Sequence, residues 1–118
     1  MGILDGRRAL VTGGGTGIGL GIARELRAAG AAVAIAGRRT DVLEAAAKQL
    51  AAEGPGAPVT AIACDATDEA QIEAAVATAA DGANLDVLVN NAGSAIPGVL
   101  ETMTADAWRF CADINLTA

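Results

Sequence analysis

Val11-Thr12-Gly13-Gly14-Gly15-Thr16-Gly17-Ile18-Gly19 is the stretch of this sequence whose residue types and spacing can do chemistry. An apolar run, Ala9-Leu10-Val11, leads straight into the glycines, and Ile18, Ile22 and Leu26 then recur at helical spacing. Strand, glycine turn and helix in that order aim backbone N–H groups and a helix N-terminus at a phosphate. Glycine serves twice there: the turn visits positive φ, and a missing Cβ lets a pyrophosphate approach the main chain. The stretch therefore predicts dinucleotide binding. The competing reading is a tight turn that uses glycine for structural reasons alone, and the flanking strand and helix weigh against it.

In dinucleotide folds an acid about 20 residues beyond such a turn holds the adenine ribose hydroxyls. Here the second apolar run ends Ala36-Gly37-Arg38-Arg39, and no acid follows until Asp41. Two guanidinium groups in that place suit a ribose bearing a 2′-phosphate, because Arg pairs with phosphate through two N–H donors. NADP is favoured over NAD on that ground; a solvated loop pair is the plainer alternative.

The elements that must position these groups alternate along the chain. Arg8–Thr12 reads as a strand, Ile18–Ala29 as a helix and Ala32–Ala36 as a second strand. Thr40 is expected to cap a helix from Asp41 to about Glu53, with Leu43, Ala46, Ala47 and Leu50 on its apolar face. Gly54-Pro55-Gly56-Ala57-Pro58 breaks that helix. Val59–Cys64 is a third strand, and Thr67 or Asp68 starts a helix carrying Ile72 and Val76 that ends near Asp81-Gly82. Leu85–Val89 is a fourth strand, followed by a loop through Gly98. Thr104 is expected to cap a last helix containing Trp108 and Ile114. Such alternation implies βαβ units: an α/β fold with a Rossmann-like, doubly wound parallel sheet, truncated after about four strands. Residues 1–118 read as one such domain, with no internal repeat or linker. With strands ordered 3-2-1-4, Leu85–Val89 would be an apolar edge.

Bulk composition narrows the function. Net charge is −6 and the pI is near 4.4, which argues against nucleic acid, whose phosphates call for clustered Lys and Arg. No run of 18 apolar residues and no signal-peptide pattern point to a membrane or to export. Cys64 and Cys111 are too few and too far apart for a disulfide scaffold or a metal site. A soluble, cytoplasmic setting is expected.

At this point the sequence resembles the short-chain dehydrogenase/reductase family over its whole length. Thr12-Gly13-Gly14-Gly15-Thr16-Gly17-Ile18-Gly19 matches the family's TGxxxGxG, and Asn90-Asn91-Ala92-Gly93 its NNAG. Asp65 falls after the third strand, where the family places an Asp, and Ile114-Asn115-Leu116 matches the segment bearing an active-site Asn. The resemblance implies that Gly13, Gly17 and Gly19 shape the pyrophosphate site, with Ile18 at the helix start. Asp65 would receive the adenine amino group; read without the family it is a helix-start cap beside Thr67. Asn90 would brace the sheet, and Ala92-Gly93 would line the cofactor. Asn115 would belong to the catalytic set, holding a water in a proton relay.

Two departures matter. NADP-using relatives often carry a basic residue inside the glycine turn, whereas Gly14, Gly15 and Thr16 are neutral. The family's catalytic Ser and its Tyr-x-x-x-Lys are missing, and the sequence holds no Tyr and no His. Ser94 belongs to a cofactor-side loop rather than to that set, and Lys48 to the second helix. The expectation is therefore the N-terminal part of an NAD(P)-dependent enzyme acting on a small carbonyl or alcohol. By resemblance the full-length enzyme would be a homo-oligomer, paired through helices that include the one with Trp108. A non-catalytic dinucleotide-binding or pairing module is the alternative; a methyltransferase is a distant third, against which Asn90–Gly93 argues.

Overall fold

A computed structural model of the chain describes residues 2–93 and 100–117. Four parallel strands are present: β1 (Arg8–Thr12), β2 (Ala32–Gly37), β3 (Val59–Ala63) and β4 (Val87–Val89). Between them lie α1 (Gly17–Ala28), α2 (Thr40–Ala52) and α3 (Glu69–Ala80), and α4 (Ala105–Ala112) follows β4. The sheet order is β3-β2-β1-β4, the expected 3-2-1-4 arrangement. Register runs Leu10↔Ala34 and Val11↔Ile35 on one side of β1, and Leu10↔Leu88 and Val11↔Val89 on the other. Because the order reverses at β1, the loops leaving β1 and β4 diverge, and the crevice of such a sheet opens there.

Two buried clusters hold the layers together, and the two-residue period of a strand explains the division. Ala9, Val11, Val33 and Ile35 face α1 and α2, where Ala23, Leu43, Ala46 and Leu50 meet them. Leu10, Ala34 and Ala36 face the other way, toward Cys64 and Ala75 of the α3 side. Central strands covered on both faces read as continuous apolar sequence, which is why β1 and β2 were legible. Arg27 closes the C-terminal end of α2: its guanidinium donates to the carbonyls of Leu50 (2.8 Å), Gly54 (2.9 Å) and Ala57 (3.1 Å). Leu50 belongs to the last turn of α2, whose carbonyls have no onward helical partner, and Gly54 and Ala57 lie in the loop beyond it. Arg24 pairs with both oxygens of Glu53 at 2.9 and 3.0 Å, which fastens α1 to the same corner.

Several boundaries differ from the sequence reading. Thr40 does not cap α2 but is its first residue; Arg39 occupies the cap position with no side-chain hydrogen bond. In α3 the cap is Asp68, whose carboxylate accepts from the Gln71 amide at 3.2 Å. Thr104 caps α4 as expected, accepting from the Ala107 amide at 3.1 Å. β4 begins at Val87 rather than Leu85: Leu85 turns into the α3-side cluster, and Asp86 bonds the start of β1 through Arg8. Ile114 falls beyond α4, in a π-helical turn spanning Asp113–Thr117. β4 is the sheet edge in the structure, and Leu88 on it is 51% exposed. No helix among the described residues is long and apolar enough to cross a membrane. Ser94 and the loop through Gly98 lie outside the described residues, as does the side chain of Leu116.

Candidate functional site

A cleft of about 440 Å³ opens where the C-terminal ends of β1, β2 and β3 meet the N-terminus of α1. Its walls include Thr12, Gly13, Thr16, Gly17 and Ile18 from the glycine turn, Arg38 from the end of β2, and Ala92-Gly93 after β4. Eight of the sequence-predicted site residues thus meet in one place.

The glycines occupy this turn for different physical reasons. Gly17 has φ +55°, and a Cβ there would meet no atom within 4 Å. Its constraint is the left-handed backbone, and the space in front of it is open. Gly19 is the opposite case: a Cβ would collide with the Gly13 carbonyl oxygen and lie 2.5 Å from Asn91 Nδ2. Thr16, at the cap of α1, makes no side-chain hydrogen bond to the turn. The leading N–H groups of α1 are therefore left to a ligand, at the positive end of the helix dipole. An open path at Gly17 and uncapped amides beside it fit a pyrophosphate. Gly14, which the sequence reading left without a role, packs against Ile35, 2.6 Å from where its Cβ would stand.

The loop after β4 is tied to this turn by Thr12 and Asn91. The Thr12 hydroxyl donates to the Val89 carbonyl (3.3 Å) and accepts from the amides of Asn91 and Ala92 (both 3.0 Å). Asn91 Nδ2 donates to the Gly13 carbonyl at 3.2 Å. Among the described residues it is Asn91, the neighbour of Asn90, whose side chain reaches the glycine turn. Strand alternation decides this, because adjacent residues leaving β4 point to opposite sides. Asn90 instead lines a second cavity of about 230 Å³, shared with Leu10, Leu88 and Asn115.

Arg39 stands outside the main cleft, in a side pocket of about 330 Å³ that it shares with Arg38 and Val42. Asp65 does not line the cleft, although its neighbours Cys64 and Ala66 do. Its Oδ1 accepts from the Thr67 hydroxyl (2.7 Å) and amide (2.9 Å), so the turn role beside Thr67 is present in the structure. The Thr67 hydroxyl and amide hold the Asp65 carboxyl below its ordinary value, and the Arg38 charge adds to this. Burial pushes the Cys64 thiol up, and the Asp65 and Asp68 charges push the same way. Asn115 donates through Nδ2 to the Cys111 carbonyl at 2.9 Å. Its Oδ1 would lie 2.7 Å from a Cβ on Gly93, so it sits directly over the cofactor-side loop. Phe110 and Ile114 also line the main cleft, which their helical spacing allowed but did not announce.

Comparison with known proteins agrees with this geometry. The family model for short chain dehydrogenases matches residues 7–118. A reductase of Mycobacterium tuberculosis that acts on a hydroxy-methyl-oxo-hexahydroindene-carboxyl-CoA is 41% identical over 119 residues, covering 99% of this chain and 45% of the relative. The crystal structure of a short chain dehydrogenase from Mycobacterium smegmatis superposes with a TM-score of 0.91 at 36% identity, covering 99% of this chain and 49% of that one. A blue fluorescent protein from a metagenomic library, crystallised with NADPH, superposes with a TM-score of 0.86 at 38% identity; 97% of this chain and 47% of that one are covered. The chain spans about half the length of the proteins it matches.

Proposed function

Because this chain belongs to the short-chain dehydrogenase/reductase family, we propose that it is the cofactor-binding part of an NAD(P)-dependent oxidoreductase. Bound nicotinamide would exchange a hydride with a carbonyl or alcohol carbon of a small substrate. The observation that carries this reading is Gly17: positive φ, open space and the N-terminus of α1 coincide at the mouth of the crevice. Gly13, Gly17 and the first amides of α1 would hold the pyrophosphate. Thr12 and Asn91 keep Ala92-Gly93 in place beneath it. Asp65 has Oδ2 to offer the adenine amino group, since Oδ1 is engaged by Thr67. Asn115, over Gly93, would face the side where the substrate reacts. The 118 residues contain neither Tyr nor His, so they do not supply the group that protonates the substrate oxygen.

NADP is the favoured cofactor and NAD the alternative. Arg38 and Arg39 flank the pocket at the end of β2, and a structural neighbour was crystallised with NADPH. Residues 1–118 would act as one NAD(P)-binding unit, in the cytoplasm, within a homo-oligomer. The 61% exposed Trp108 on α4 supports the last of these.

The test is titration of the protein with NADPH and NADH, read by nucleotide fluorescence. Gly17→Val puts a β-branched side chain at positive φ and into the phosphate path. Affinity is expected to fall by more than about tenfold while circular dichroism keeps its helical signal. Unchanged binding would remove the site assignment, and a parent protein that binds neither nucleotide would overturn the function.

A further inference from the structure

We propose that Asp65 is a specificity-determining residue: its carboxylate, at the end of the strand next to the one that Arg38 leaves, opposes a phosphate on the adenine ribose, restraining the preference for NADP over NAD. The inference rests on the dinucleotide reading above and concerns a different property of Asp65 from its contact with adenine.

The placement follows from the sheet. β2 and β3 are parallel neighbours in register up to Gly37↔Ala63, and the Cys64 amide continues the ladder by donating to the Gly37 carbonyl at 2.8 Å. In that register Arg38 falls opposite Cys64 and Arg39 opposite Asp65, so Asp65 leaves the same edge of the sheet one residue further out than Arg38, within range of its charge. Arg38 walls both the main cleft and the side pocket shared with Arg39. Cys64 and Ala66, on either side of Asp65, wall the main cleft. Asp65 does not line the cleft itself but stands between two residues that do, at the edge of the space where a ribose phosphate would meet Arg38.

Two further observations make its charge count. Thr67 pins Oδ1 with a hydroxyl and an amide, which fixes the carboxylate in position and keeps it ionised. The glycine turn adds no cation of its own, Gly14, Gly15 and Thr16 being neutral. An anion at this edge of the sheet offsets part of the Arg38 field that would draw in a phosphate dianion and leaves the uncharged hydroxyl of NAD almost unaffected.

The experiment compares affinities for NADPH and NADH in the parent protein and in Asp65→Asn. Both nucleotides carry the same adenine, so any loss of the adenine contact cancels in the ratio of the two. Asp65→Asn keeps an acceptor for Thr67 and is expected to raise the NADPH/NADH affinity ratio roughly threefold at low ionic strength, the gain fading as salt screens it. Asp65→Glu, which keeps the charge, leaves the ratio near the parent value. Asp65→Ser provides a second neutral variant if the amide perturbs folding, and it is expected to move the ratio the same way. An unchanged or lowered ratio in the folded neutral variants overturns the proposal while leaving the dinucleotide reading intact. A parent protein that binds neither nucleotide overturns both.

Discussion

Gly19→Ala tests the packing of the glycine turn most sharply, because the same substitution two residues later should act in the opposite direction. At Gly19 the added methyl would run into the Gly13 carbonyl oxygen and come within 2.5 Å of Asn91 Nδ2. That carbonyl belongs to a residue whose own amide is bonded to Ala36 at 2.8 Å, so it cannot retreat without disturbing β2. Overpacking against fixed backbone costs about 1–3 kcal/mol, and displacing the Asn91 amide from Gly13 (3.2 Å) costs about 1 more. Alanine's better helix propensity returns about 1 kcal/mol. The net expectation is a destabilisation of about 1–3 kcal/mol together with weaker nucleotide binding. At Gly21, also in α1, a Cβ meets nothing within 4 Å. Gly21→Ala should therefore stabilise by about 0.5–1 kcal/mol and leave binding unchanged. Urea unfolding of both variants, with NADPH titration alongside, gives the comparison. If Gly19→Ala proved as stable as Gly21→Ala, the close approach of α1 to the turn would not exist as described.

Thr12→Val removes the hydroxyl that joins Val89, Asn91 and Ala92. It is expected to cost about 1–2 kcal/mol, since it strands the Ala92 amide while the Asn91 amide keeps the Val89 carbonyl, and to weaken nucleotide affinity, both measurable on the same samples. Arg38→Asp should turn the preference from NADPH toward NADH by roughly tenfold, because it replaces a cation by an anion beside the ribose; competitive titration decides it. Asp86 carries a stability term with a defined sign. Its carboxylate accepts from the Arg8 amide at 2.9 Å and pairs with Arg7 at 3.3 Å, and these bonds hold its carboxyl below the ordinary 3.8. A carboxyl lowered on folding stabilises above its unfolded value, and the contribution is lost as pH falls from there through the folded value. Asp86→Asn should accordingly flatten the acid limb of the stability profile below about pH 4 and leave its slope near neutrality unchanged.

The sequence carried the architecture because its signals are local. Val11-Thr12-Gly13 and the strictly apolar runs of β1 and β2 reflect strands buried on both faces, and alternation with helices restricts the sheet to few orders, among them the observed β3-β2-β1-β4. The glycine turn and Arg38 were legible for the same reason: each belongs to one short segment whose spacing is set by backbone geometry.

Contacts between segments distant in sequence were settled only by tertiary packing. Asn90 and Asn91 are equivalent in composition, yet only Asn91 reaches the Gly13 carbonyl, 78 residues away. Glycines 17 and 19 look alike in the motif, yet one is held by its φ and the other by a neighbouring backbone. Thr40 lost the cap position to Arg39, and Ile114 left the helix for a π-helical turn. Asp65 came within range of the Arg38 charge because β2 and β3 are parallel neighbours that end at the same edge of the sheet. A strand's alternation tells which side a residue faces; only the register of that strand against its neighbour determines what it finds there.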